Sequence, residues 1–272
     1  MRKILIVALS LICVICAGCF KINSDLIVTS DGAVVQQSQF IGNAALNPLI
    51  EDWKNQTEKS NPKIRAKAVV EGELRGYRFD IDYPDIETFA QLPNKFYLAH
   101  EGINKGVSRH KGWFFDEYGF DFYWKGSPAR TAFDATVNQA LLSQAVFDVS
   151  ISLPYAAVST NADEVDASGK LLKWHLSHVT INGGEKFMNA RFKIWHKDKI
   201  ALTVFAELLL LTATIFFFIK ARADDLEGVG KDLRFKRNIF AILFVALGAI
   251  SAYLIFTPVV FTEADIISIA AP

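Results

Sequence analysis

The chain has 272 residues with 29 basic and 29 acidic side chains, so no net field draws it toward nucleic acid. Its hydrophobic fraction, 51%, is above that of an ordinary soluble domain. The surplus lies in three apolar blocks, residues 4–17, 200–219 and 239–261, which argues against a wholly soluble protein.

The first block follows Met1-Arg2-Lys3. At about fourteen residues it has the length of a signal-peptide core and is short for a membrane span. It closes on Ala17-Gly18-Cys19. This ending resembles a bacterial lipobox, in which a peptidase cuts before a cysteine that carries lipid on its sulfur. Cys16 stands three residues before that cysteine, where the pattern usually has Leu. The resemblance implies a signal peptide over 1–18 and a lipid attachment site at Cys19. The alternative is an uncleaved signal anchor with cysteines as small apolar residues. From Phe20 onward there is no cysteine, so neither disulfides nor thiolate metal sites can hold the mature chain together.

Residues 19–199 are expected to form one exterior α+β domain, an antiparallel sheet with two or three helices. Phe20, Ile22, Leu26 and Val28 follow strand spacing, and Asp31-Gly32 signals a hairpin turn into a returning strand. Asn47-Pro48 opens a predicted helix that Asn61-Pro62 ends. Strands are predicted around 63–72 and 74–84, and a short helix over 85–92. The segment 113–124 has eight aromatics in twelve residues and supplies one or two strands around Gly119. A helix is predicted over 128–144, and strands over 146–154, 170–181 and 186–196, with turns at Ser168-Gly169 and Asn182-Gly183-Gly184.

Residues 200–219 are about 30 Å long as a helix, enough for a bilayer core, and 238–261 match it, with Pro258 placed to end or bend the second span. The 220–237 loop carries Lys220, Arg222, Lys231, Arg234, Lys236 and Arg237, whereas the tail 262–272 has no basic residue. Positive-inside reasoning puts the loop in the cytoplasm and both the domain and the tail outside, in a bacterial cytoplasmic (inner) membrane. The expected architecture is an exterior domain followed by a two-helix transmembrane hairpin.

The segments "GCFKINSDLIVTSDGAVV" and "VFDVSISLPYAAVSTNADEVDASGKLLKWHL" resemble the LppM-like bacterial lipoproteins. The matching features are Cys19, the first strand, the Asp31-Gly32 turn, Leu153-Pro154, Asn161, Gly169 and Trp174. The resemblance implies a membrane-tethered exterior domain, with envelope lipid or glycolipid as the suspected ligand and no catalytic motif. Two spans depart from relatives that have one.

His175 and His178 are three apart, which on a strand puts them on opposite faces, so no metal site is expected. Asp80 and Asp82 share a strand face and read as a solvated surface rather than an acid–base pair. No nucleophile elbow, phosphate loop or zinc motif is present, so no enzyme activity and no cofactor are expected. Trp113, Phe115, Tyr118, Phe120, Phe122 and Trp124 are either a core strand or an apolar ligand surface near the membrane. Glu207 lies inside the first span, where an ionisable group commonly meets a partner helix. Ala246, Gly248, Ala249, Ser251 and Ala252 form a small-residue patch suited to helix packing. Strand spacing begins beside the lipid site and ends close to the first span, so the domain is expected to stay near the outer leaflet. Two functions fit: an envelope lipid or glycolipid binder, or a non-enzymatic adaptor in a membrane protein assembly.

Overall fold

A computed structural model of the chain describes residues 20–60, 64–91, 103–126, 146–177, 180, 183–223 and 230–268. Cys19, the signal segment, the predicted helix 128–144, His178 and the loop residues 224–229 lie outside the described residues.

The strands are β1 (Phe20–Val28), β2 (Val34–Gly42), β3 (Lys67–Glu71), β4 (Leu74–Tyr83), β5 (Ile103–Lys111) and β6 (Phe115–Lys125). They continue with β7 (Val146–Ser152), β8 (Ser159–Thr160), β9 (Glu164–Val165), β10 (Leu171–His175), β11 (Glu185–Trp195) and β12 (Ile266–Ser268). The helices are α1 (Asn47–Ser60), α2 (Ile86–Gln91), α3 (Lys197–Ala223) and α4 (Gly230–Phe256). The α+β class and the C-terminal pair of apolar helices match expectation.

Two sheets are formed, ordered β3-β4-β2-β1-β7-β10-β9 and β12-β5-β6-β11-β8. The strands are mostly antiparallel, but β1 pairs with β7 in parallel, with Ile22 opposite Phe147 and Leu26 opposite Ile151. The β1–β2 hairpin forms as its sequence suggests: Gly32 takes φ 89° at the turn, and Val28 pairs with Val34. Strand alternation then points Leu26, Val28, Val34, Phe79, Val149, Ile151, Leu172 and Trp174 to one face. On β11 the buried Met188, Ala190, Phe192 and Ile194 alternate with more exposed neighbours. These faces share one core with Tyr118, Phe120, Phe122 and Trp124 of β6. α1 caps a smaller cluster, where Ile50 and Trp53 meet Phe20, Phe40 and Tyr77.

The chain divides into two compact units. The first holds most of both sheets and the C-terminal tail; the second holds residues 110–117 and 195–260. In the first, residues 261–268 of the tail pack on the sheet. Phe261 lies 3.4 Å from the position a Gly119 side chain would occupy, and the Arg191 guanidinium sits 4.6 Å from the Phe261 ring. Thr262 and Asp265 form a capping box, and β12 then pairs antiparallel with the edge of β5, Ile266 opposite Ser108. β6 is one strand through Gly119, which faces that ring.

In the second unit, α3 and α4 are each long and apolar enough to cross a membrane. α4 ends at Phe256, two residues before Pro258, in line with the helix-ending role expected of that proline. Phe217 and Phe240 stack between the helices, with centroids 5.4 Å apart and planes 9° apart. Gly248 faces open space, so it is not where the two helices pack together.

Candidate functional site

The six aromatic candidates separate into two groups. Tyr118, Phe120, Phe122 and Trp124 are two residues apart and share the inward face of β6. All four are buried. Tyr118 stacks on Phe192 at 5.7 Å, Phe120 meets the same ring edge-on at 5.0 Å, and Trp124 packs on Phe147 at 5.6 Å. Trp124 Nε1 donates to the Thr180 carbonyl at 3.2 Å. Phe115 is also buried, edge-on to Trp195 at 5.1 Å. All five rings are buried. For Tyr118, Phe120, Phe122 and Trp124 the signal was their period-two spacing, which the also buried Tyr123 interrupts.

Trp113 is different. It sits in the turn between β5 and β6, and half of it is exposed. The turn is fastened to the start of α3. His196 N donates to the Phe114 carbonyl at 2.8 Å, and His196 Nδ1 donates to the Trp113 carbonyl at 3.1 Å. His196 Nε2 lies 3.4 Å from the buried Asp116 carboxylate, which also accepts from Gly112 N at 3.3 Å. The indole Nε1 donates to Thr203 Oγ1 at 3.4 Å, and Lys199 Nζ lies 5.4 Å from the ring centroid. Thr203 is six residues into α3, or about 9 Å along its axis. The result is an amphipathic ring and a cation held together at the start of an apolar helix. That combination suits the headgroup zone of a bilayer.

Glu207 lies one turn beyond Thr203 on α3 and is half-buried.

The outer face of the seven-stranded sheet carries a polar cluster that sequence reading missed. His175 Nδ1 lies 2.7 Å from Asp148 and its Nε2 3.1 Å from Glu164, so both ring nitrogens are engaged by carboxylates. Those hydrogen bonds, Asp148 first, raise the His175 pKa above 6.5. The stability they add is present below that value and fades as pH rises through the native pKa. Asp25 accepts from Ser150 Oγ at 2.6 Å, and burial, reinforced by the nearby Asp148 charge, pushes its pKa above the ordinary 3.8. The ionised carboxylate therefore destabilises the fold. Asp25→Asn should be more stable than the parent at neutral pH. The gap should close as pH falls through the native pKa toward 3.8. Urea midpoints across that range test this; a variant less stable at pH 7 would refute it.

Asp80 departs from expectation. Its carboxylate is largely shielded and ion-paired to Arg78 Nε at 2.9 Å and Lys67 Nζ at 2.5 Å, rather than solvated. The polar face of β4 is closed by charge pairing across strands.

No family model matches the chain, and no curated protein does. A solved structure is similar. It is the NMR structure of the folded domain of LppM from Mycobacterium tuberculosis, with a TM-score of 0.40 and 12% identity, covering 67% of this chain and 94% of that one.

Proposed function

We propose that this is a membrane-anchored, non-enzymatic envelope protein of bacteria. Its two-sheet domain works against the outer face of the cytoplasmic membrane, where it engages an envelope lipid or glycolipid. The carrying observation is the Trp113 site: an exposed indole and Lys199 fixed beside the first turns of α3. Their chemistry suits a lipid headgroup above acyl chains.

The orientation has two supports. β11 leads directly into α3, and the chain after α4 returns to β5, so both ends of the helix pair belong to the same sheet. An even number of crossings follows, and the basic segment 220–237 then faces the cytoplasm. Lipidation at Cys19 belongs to the same reading. β1 starts at Phe20, the next residue, so the tether has no spacer.

The test is native mass spectrometry of the full chain released from mild detergent, compared with Trp113→Ala. The expected result is a lipid class retained by the parent and reduced about fivefold or more in the variant, on the scale of one lost aromatic contact. A parent that carries no lipid beyond the bulk detergent exchange background refutes the reading. Mass analysis of the mature N-terminus tests the anchor separately, since an intact Met1 end rules out lipidation at Cys19.

A second reading, an adaptor subunit of a membrane assembly, is favoured by Glu207. A carboxyl group in a membrane helix is costly unless a neighbouring group receives it. Capture of a partner by the full chain that persists in Glu207→Leu would count against this reading.

A further inference from the structure

The loop end of the helix pair carries a second site, chemically unlike the first. The last turns of α3 and the first turns of α4 enclose an open cleft of about 420 Å³, lined by Phe218, Ala221, Arg222, Arg234 and Arg237. Phe218, Ala221 and Arg222 share one face of α3 by i, i+3 and i+4 spacing, and Arg234 and Arg237 share one face of α4 by i, i+3 spacing. Ala221 and Leu233 are buried, while the small side chain of Ala221 leaves room beside the guanidinium groups.

The walls are braced. The Phe217–Phe240 stack fixes the helices one turn deeper. The Arg237 guanidinium lies 5.8 Å from the Phe218 ring centroid, and its Nε and Nη2 donate to Asn238 Oδ1 at 3.1 and 2.9 Å. Lys236, in the same segment, is instead taken up by Asp232 at 2.8 Å. Among the described residues the cleft is lined by three arginines and no lysine. Guanidinium forks match pairs of phosphate oxygens, which an ammonium point charge does not do as well.

We propose that Arg222, Arg234 and Arg237 form a binding site for a phosphate group at the loop end of the helix pair. The loop end of a membrane-crossing helix pair meets the headgroup zone, where an anionic lipid carries its phosphodiester. The proposal does not depend on the Trp113 site.

The experiment uses the full chain in nanodiscs of phosphatidylcholine doped with phosphatidylglycerol. Retained phosphatidylglycerol is counted by native mass spectrometry. The triple variant Arg222→Gln/Arg234→Gln/Arg237→Gln is compared with Lys220→Gln/Lys231→Gln/Lys236→Gln, which removes the same charge. The arginine variant should lose retention about tenfold or more, and the lysine variant about twofold or less. Excess inorganic phosphate that leaves the lipid in place assigns the phosphate to a headgroup. Displacement by inorganic phosphate that disappears in the arginine variant assigns the same site to a soluble phosphate. Equal losses in the two variants, or unchanged retention in the arginine variant, overturn the proposal.

Discussion

Gly76→Ala is expected to prevent stable folding of the seven-stranded sheet. Gly76 lies between two partners, opposite Ile41 of β2 and Val69 of β3. A methyl group at this position would lie 2.0 Å from the Phe40 carbonyl oxygen and 2.9 Å from Ile41 Cα. Both are backbone atoms of an adjacent strand, so no side-chain rotation relieves the overlap. β2 and β4 would have to separate along a register that runs nine residues, from Val34–Tyr83 to Gly42–Arg75. The cost should be about 3 kcal/mol or more, at or beyond the upper end of overpacking effects and a large part of the stability of an ordinary domain. Gly72→Asn is the informative control. Gly72 has φ 60° at the β3–β4 turn with open space around it, and Asn tolerates that conformation. Protease resistance of the full chain in detergent should be lost for Gly76→Ala and nearly unchanged for Gly72→Asn. Equal behaviour of the two would mean that strand approach is not what requires glycine at 76.

Trp174→Ala should produce the second large loss, about 3–5 kcal/mol. The ring is fully buried in the main core. Its Nε1 donates at 3.0 Å to Asn161 Oδ1, which also accepts from Asn189 N at 2.6 Å, while Asn161 Nδ2 donates to the Phe187 carbonyl at 3.1 Å. One asparagine therefore ties the loop before β9 to β10 and β11, and the indole anchors it. Removing the ring opens a cavity and cuts that link. Trp174→Phe separates the contributions. It keeps most of the apolar contact and loses the hydrogen bond, so about 1–2 kcal/mol is expected. Urea unfolding followed by near-ultraviolet circular dichroism should rank parent, Phe and Ala in that order. A Phe variant as unstable as Ala would assign most of the effect to the hydrogen bond rather than to packing.

Much of the fold was legible because its signals are local. Alternation fixed the β1–β2 hairpin, β4, β7, β10 and β11, and Asn47-Pro48 marked the start of α1. Composition alone located α3 and α4. The parallel β1–β7 pair was hidden, since it joins segments more than a hundred residues apart and leaves no periodic trace in either. β5 was missed because "INKGVSRHK" is polar and gains its place from neighbours on both sides. Ser24, Gln36 and Ser38 are buried on an otherwise apolar face, where Gln36 accepts from the Tyr83 hydroxyl at 3.0 Å. A sequence pattern reads such residues as surface.

The candidate site was half legible. The aromatic segment 113–124 drew notice by composition, but composition does not distinguish a ring in a turn from rings on a strand. Trp113 lies outside the alternation that commits 118, 120, 122 and 124 to the interior, and its partners Lys199 and Thr203 are more than eighty residues away. The arginine cleft required knowing that the two spans pack with their loop ends side by side.

The return of β12 to β5 has a consequence for biogenesis. The strand that closes this edge is encoded after both apolar helices, so the edge of β5 lacks that partner until they have been laid down. An unpaired strand edge invites wrong pairings. Pairing of β12 with this edge therefore follows the synthesis of both helices. A chain stalled between α3 and α4 would display the open edge to chaperones and proteases.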